Sequence, residues 1–95
     1  MDFIYIIRSH RENFVETMTS EESAIMSEHS DYINTLLSDK ILVLAGPALS
    51  GKFGIVIFKA DNKNEAESIM LNDPAVKKNI VKAELYPFKI SFLQK

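Results

Sequence analysis

The chain has 95 residues, 46% of them hydrophobic, with no cysteine and a formal net charge of −2 from 11 basic and 13 acidic residues. This is the size of one domain, and six Phe and three Tyr add to an apolar content that supports a core and argues against disorder. The composition excludes disulfides, thiolate metal sites and a cysteine nucleophile, and it offers no basic face or interleaving of aromatic and basic residues for nucleic acid.

Residues 2–8, with Phe3-Ile4-Tyr5-Ile6-Ile7 at their centre, are β-branched and aromatic without a polar break, which predicts a central strand covered on both faces. The run is too short to cross a membrane and lacks the basic leader and small-residue cleavage site of a signal peptide, so a soluble, cytoplasmic protein with no membrane partner is expected. Residues 9–19 show no clean period and read as a connection. Thr19 followed three residues later by Glu22 is a capping box, and Glu21 and Glu22 suit the positive end of the helix it opens. That helix is expected from residue 20 to about 39, with Ile25, Ile33, Leu36 and Leu37 as its buried stripe and Met26 and Tyr32 flanking it.

Residues 41–45 form the second strand, stopped by Gly46-Pro47, and residues 53–58 the third. Asp61 or Asn62 caps a second helix from residue 64 to about 71, with Ala66, Ile69 and Met70 as its apolar side. Asp73-Pro74 opens a helical turn through about residue 79. Tyr86, Phe88, Ile90 and Phe92 alternate with Pro87, Lys89, Ser91 and Leu93, which reads as a fourth strand. The apolar pair Phe92-Leu93 is expected to pack rather than fray.

The order β-α-β-β-α-β over residues 1–95 predicts a single α+β domain, a ferredoxin-like sandwich with a four-stranded antiparallel sheet. Right-handed crossovers place the first and third strands in the middle. The two most continuously apolar strands are those two, and Pro87 falls in an edge strand that tolerates a missing N–H. Helices on one side leave the other face of such a sheet bare. A second copy related by a twofold axis would cover it, so a homodimer through the sheet face is expected.

Residues 46–52, Gly-Pro-Ala-Leu-Ser-Gly-Lys, match the G-x-x-x-x-G-K spacing of a nucleotide-binding loop. Phe53 stands where Ser or Thr would hold Mg²⁺, and a strand rather than a helix follows, so no helix N-terminus is offered to a phosphate. A hairpin loop between strands two and three explains the segment better.

His29 carries the most chemistry. It lies four residues after Ile25, four before Ile33 and seven before Leu36, in the middle of the buried stripe. A buried imidazole needs a hydrogen-bond partner and is a natural acid or base near neutral pH; it is equally a satisfied core residue. Asp73 has two readings as well: an N-cap ahead of Pro74, or a carboxylate that orients an imidazole. The only other histidine, His10, sits on a different element, and His29 and Asp31, two apart on a helix, face different ways. No metal or other cofactor is therefore expected.

The sequence resembles the YciI-like (YCII-related) family over nearly its whole length. The likeness rests on the N-terminal apolar strand, Arg11 with Phe14, Glu28-His29-Ser30-Asp31-Tyr32, Leu44-Ala45-Gly46-Pro47, Asp73-Pro74-Ala75-Val76 and Leu85-Tyr86-Pro87-Phe88. Lys40 departs from it, since members commonly carry Gly between helix and second strand; a left-handed Lys40 would strain that turn. The resemblance implies a dimeric α/β barrel and a His–Asp centre, here His29 and Asp73, in a cleft between helix and sheet. Relatives of this architecture include isomerases and dehydrochlorinases of aromatic-degradation intermediates.

The expected function is cofactor-free acid–base chemistry, isomerase- or lyase-like, on a small organic molecule. His29 would move the proton and Asp73 would fix its tautomer. Arg11 would grip a substrate carboxylate and the Gly46-Pro47 backbone would line the cleft. For these last residues the plain alternatives are a solvated arginine and the end of a strand. The competing function is a non-catalytic, dimeric ligand-binding or accessory module in which His29 is sealed in the core.

Overall fold

In the computed structural model, which describes residues 1–94, one antiparallel sheet has the strand order β2-β3-β1-β4. The elements are β1 (Asp2–Ser9), α1 (Phe14–Thr17), α2 (Ser20–Ser38), β2 (Leu42–Pro47), β3 (Gly54–Lys59), α3 (Lys63–Leu71), α4 (Pro74–Lys77) and β4 (Val81–Phe88). This is the expected ferredoxin-like α+β arrangement with β1 and β3 central, and with the short helix α1 added.

Strand periodicity sorts the side chains into two faces. Phe3, Tyr5 and Ile7 of β1 stand in register with Phe58, Val56 and Gly54 of β3 and with Pro87, Leu85 and Ala83 of β4. This is the face the helices cover. Tyr5 meets the Phe58 ring edge-on at 5.7 Å, and Phe3 lies 6.1 Å from the same ring. Ile25 and Leu36 of α2, Ala66 and Met70 of α3 and Ala75 of α4 are buried on that side of the molecule. The other face presents Ile4, Ile6, Ile55 and Ile57, and beside them Leu44, Tyr86 and Phe88 remain more than 40% exposed.

Both ends of α2 are closed chemically. Thr19 accepts from Glu22 N–H at 3.1 Å and Glu22 accepts from Thr19 N–H at 2.9 Å, completing the expected capping box. At the other end Ile41 N–H donates to Leu36 O at 2.9 Å and Lys40 N–H to Leu37 O at 3.1 Å. That is a Schellman motif, and Lys40 takes the left-handed position with φ 62°. α4 ends in the same motif around Asn79, φ 58°, a residue type that tolerates it better.

Several boundaries differ from the sequence reading. Residues 14–17 of the expected connection form α1, whose single buried side chain, Phe14, leaves no period to detect. Gly46 and Pro47 do not stop β2 but pair with Ile55 and Gly54, which an edge strand permits. β4 spans residues 81–88 rather than 86–93, because β1 pairs with it from Ser9↔Val81 to Asp2↔Phe88 and has nothing left to offer residue 90 onward. Leu37 is 55% exposed and lies off the buried stripe. In the tail Ile90 is half-buried while Phe92 is 96% exposed. Residues 48–53 are the hairpin loop, closed by Ala48 N–H to Phe53 O at 2.8 Å, with Gly51 at φ 76° where only glycine is relaxed.

Candidate functional site

Among the described residues Asp73 is the one buried ionisable carboxyl group, 0% exposed. Its position comes from local chemistry: it is the N-cap of α4, with Oδ1 accepting from Ala75 N–H at 3.0 Å and Pro74 as the first helical residue. The carboxylate does not stop there. His29 Nδ1, on α2, lies 2.9 Å from Oδ1 and 2.8 Å from Oδ2, and the Tyr5 hydroxyl, on β1, donates to Oδ2 at 2.7 Å. The structure thus brings Asp73 and His29 into direct contact, and the cap and the imidazole partner are the same group.

Burial pushes the Tyr5 phenol far above its usual range, helped by the neighbouring Asp73 charge and the hydrogen bond to it. Tyr5 therefore stays a donor and never competes for protons with the carboxylate. Tyr32, one helical turn from His29, donates to Ile69 O at 2.6 Å. Burial, then the charge on Asp73, also raises its phenol. With both carboxylate oxygens facing Nδ1, the neutral imidazole carries its proton there and leaves the Nε2 lone pair free. Nε2 has no hydrogen-bond partner among the described residues.

The His29 side chain is 15% exposed and borders a cavity of about 500 Å³. Met26, Ile33 and His29 of α2 form one wall, Phe14, Val15 and Met18 a second, and Gly46, Pro47 and Phe53 of the β2–β3 hairpin a third. Gly54 lies at the sheet side, where a Cβ would stand 3.3 Å from the Ile7 side chain. Gly46 and Pro47 thus share the cavity with His29.

Arg11 does not line this cavity but an adjoining depression that shares Arg8, Ser9, Phe14, Val15 and Gly51 with it. Its guanidinium grips Glu22 with two bonds of 2.8 Å, reaches Thr17 O at 2.8 Å and Thr17 Oγ1 at 3.1 Å, and stands 5.0 Å above the Phe14 ring. These contacts tie α1 to the capped start of α2. They also draw the Glu22 carboxyl down to about 2, chiefly through the Arg11 hydrogen bonds and then through Thr19 N–H. His10 lies apart, its Nε2 3.1 Å from Asn79 O. No three His, Asp or Glu side chains converge among the described residues.

Sequence reasoning missed Tyr5. A tyrosine inside an apolar strand reads as core, and nothing local marks a hydroxyl whose acceptor is 68 residues away.

A model of the YCII-related domain matches residues 1–89 of the chain. The fold resembles that of 5-chloro-2-hydroxyhydroquinone dehydrochlorinase (TftG) from Burkholderia phenoliruptrix, solved in complex with 2,5-dihydroxybenzoquinone. The TM-score is 0.70 at 20% sequence identity, over 94% of this chain and 94% of that one. At that identity the likeness establishes the fold. No protein of curated function matches the chain in sequence. No helix among the described residues is long and apolar enough to cross a membrane.

Proposed function

The chain belongs to the YCII-related family, and from that premise we propose that it is an enzyme doing His–Asp acid–base chemistry, isomerase- or lyase-like, on a small organic molecule. The observation that carries this reading is one imidazole with two environments: Nδ1 held by a buried carboxylate, and the ring edge bordering a cavity. A ring sealed in the core would favour the accessory-module alternative, and His29 is not sealed. TftG, which shares the fold, is by name a dehydrochlorinase and binds a small quinone.

His29 Nε2 takes a proton from a substrate C–H or O–H group, and Asp73 stabilises the imidazolium so formed. The electron pair left on the substrate then moves along a conjugated path and is reprotonated elsewhere, an isomerisation, or expels a leaving group, an elimination. Positioned proton transfer of this kind contributes roughly 10²–10⁴ in rate. Gly46 and Pro47 form part of the cavity wall. Arg11 would hold a substrate carboxylate only by releasing Glu22. The bare sheet face, with Ile4, Ile6 and Ile55, meets its counterpart in a second copy to give a homodimer.

The test is turnover in His29→Ala, with substrates found by screening small enols, phenols and haloaromatics on the unaltered protein. The variant is expected to lose activity at least a hundredfold while its circular dichroism and thermal midpoint stay within a few degrees of the parent. Undiminished turnover by a folded His29→Ala protein would refute the reading.

A further inference from the structure

We propose, resting on the acid–base reading above, that the cavity takes a neutral, mainly apolar molecule presenting one acidic hydroxyl or C–H group, and discriminates against carboxylates. Charge around the cavity points this way. Of its lining residues only Arg8 and His29 have basic side chains, and no Asp or Glu lines it. Arg8 follows Ile7 in β1 and is directed to the opposite face of the sheet, where it donates to Glu84 at 3.1 Å. Arg11 and Lys52 belong to the adjoining depression, and the Arg11 guanidinium is closed on Glu22 and Thr17. Apart from Arg8, His29 is the one basic side chain among the lining residues of the cavity.

His29 is already committed. Asp73 is fully buried, and its partners are the Tyr5 hydroxyl, the Ala75 N–H and His29 itself, with no lysine or arginine among them. The imidazole–carboxylate pair therefore carries one negative charge when His29 is neutral and none when it is protonated. A carboxylate ligand adds a second negative charge between mainly apolar walls, where the neutral side chains of Ser9, Ser30 and Asn34 carry no compensating charge, against a single imidazolium that Asp73 already neutralises, and desolvation opposes it. A neutral proton donor adds none. Its O–H or C–H bond breaks, the Nε2–H bond forms, and the electron pair stays on the substrate beside the new imidazolium, so the net charge of the assembly is unchanged. The aromatic and thioether side chains of Phe14, Phe53, Met18 and Met26 suit a flat, polarisable body, and the volume of about 500 Å³ falls in the range of small-molecule sites.

A matched pair of probes tests this: 4-methylphenol and 4-methylbenzoate, which share ring and methyl group and differ in charge. Each is titrated into the protein while the ring resonances of His29 and the methyl resonances of Met26 and Ile33 are followed by NMR. The phenol is expected to move all three, with a Kd at least about tenfold below that of the benzoate. Equal or tighter binding of the benzoate overturns the proposal, as does failure of both probes to move these signals at their solubility limits. Arg11→Ala should leave the preference unchanged; a selective loss of benzoate binding in that variant would identify the guanidinium as an anion clamp and also overturn it. Binding is read here without turnover, so the two readings fail separately. Benzoate preference with an inactive His29→Ala protein removes only the charge rule, and phenol preference with an active one removes only the acid–base mechanism.

Discussion

Asp73 accepts from three different elements: from Ala75 N–H in α4, from Tyr5 in β1 and from His29 in α2. Asp73→Ala deletes a helix cap and strands a buried phenol, so it should cost about 2–4 kcal/mol, measurable by urea denaturation. Asp73→Asn keeps the shape and should cost less. Tyr5→Phe removes one donor from the carboxylate and should cost about 1 kcal/mol near neutral pH. Above that range the difference changes with a definite sign. The folded-state phenol is raised above its ordinary value of 10.0, so the native state holds a proton that the unfolded chain releases. The stability tied to this proton is complete below about pH 10 and declines as pH rises further. Denaturation midpoints taken through this alkaline range should fall more steeply for the parent than for Tyr5→Phe, and parallel curves would contradict the assignment. The histidine and the aspartate were both legible in the sequence, one by its place in an apolar stripe and the other by its cap-and-proline signature. Their contact was implied only by the family resemblance, because no spacing rule joins residues 29 and 73 before the fold does.

Among the elements, those with strong local chemistry were read to within a residue or two. The Thr19–Glu22 box fixed the start of α2, and the apolar runs located β1 and β3. β4 was displaced because its inward-facing residues Val81, Ala83 and Leu85 alternate with charged ones only upstream of the aromatic pattern at Tyr86 to Phe92, which is louder but has no strand to pair with beyond Phe88. The turn after α2 invites a direct test. Lys40 sits at φ 62°, where a Cβ is strained, and Lys40→Gly should raise stability by about 0.5–1 kcal/mol. A destabilised variant would show that the Schellman turn is not strained. The Arg11–Glu22 clasp has a pH signature of the opposite kind. Glu22 is lowered from 4.5 to about 2, so its contribution is present above about pH 4.5 and disappears as pH falls toward 2. Both partners lie at the surface, so the effect should be small and weaken with salt. Thermal melts of Glu22→Gln and the parent should differ at neutral pH and converge near pH 2.

For the molecule as a whole, one face of the sheet was legible as core and the other as a surface without a cover. The proposed homodimer follows from the isoleucines of β1 and β3 and from Leu44, Tyr86 and Phe88 beside them. Ile6→Asp, at the centre of that face, should convert a dimer to a monomer in light scattering without changing secondary structure, and an unaltered mass would place the interface elsewhere. The convergence on Asp73 also has a genetic meaning. A protein in which the proposed catalytic imidazole leans on a carboxylate that also caps a helix and satisfies a buried phenol cannot lose that carboxylate quietly. In a mutational survey scored both for protein abundance in the cell and for activity, His29 variants should lose activity at normal abundance, whereas Asp73 variants should fall on both axes together. Selection would then guard position 73 even in descendants that had abandoned the reaction, while position 29 would be free to drift.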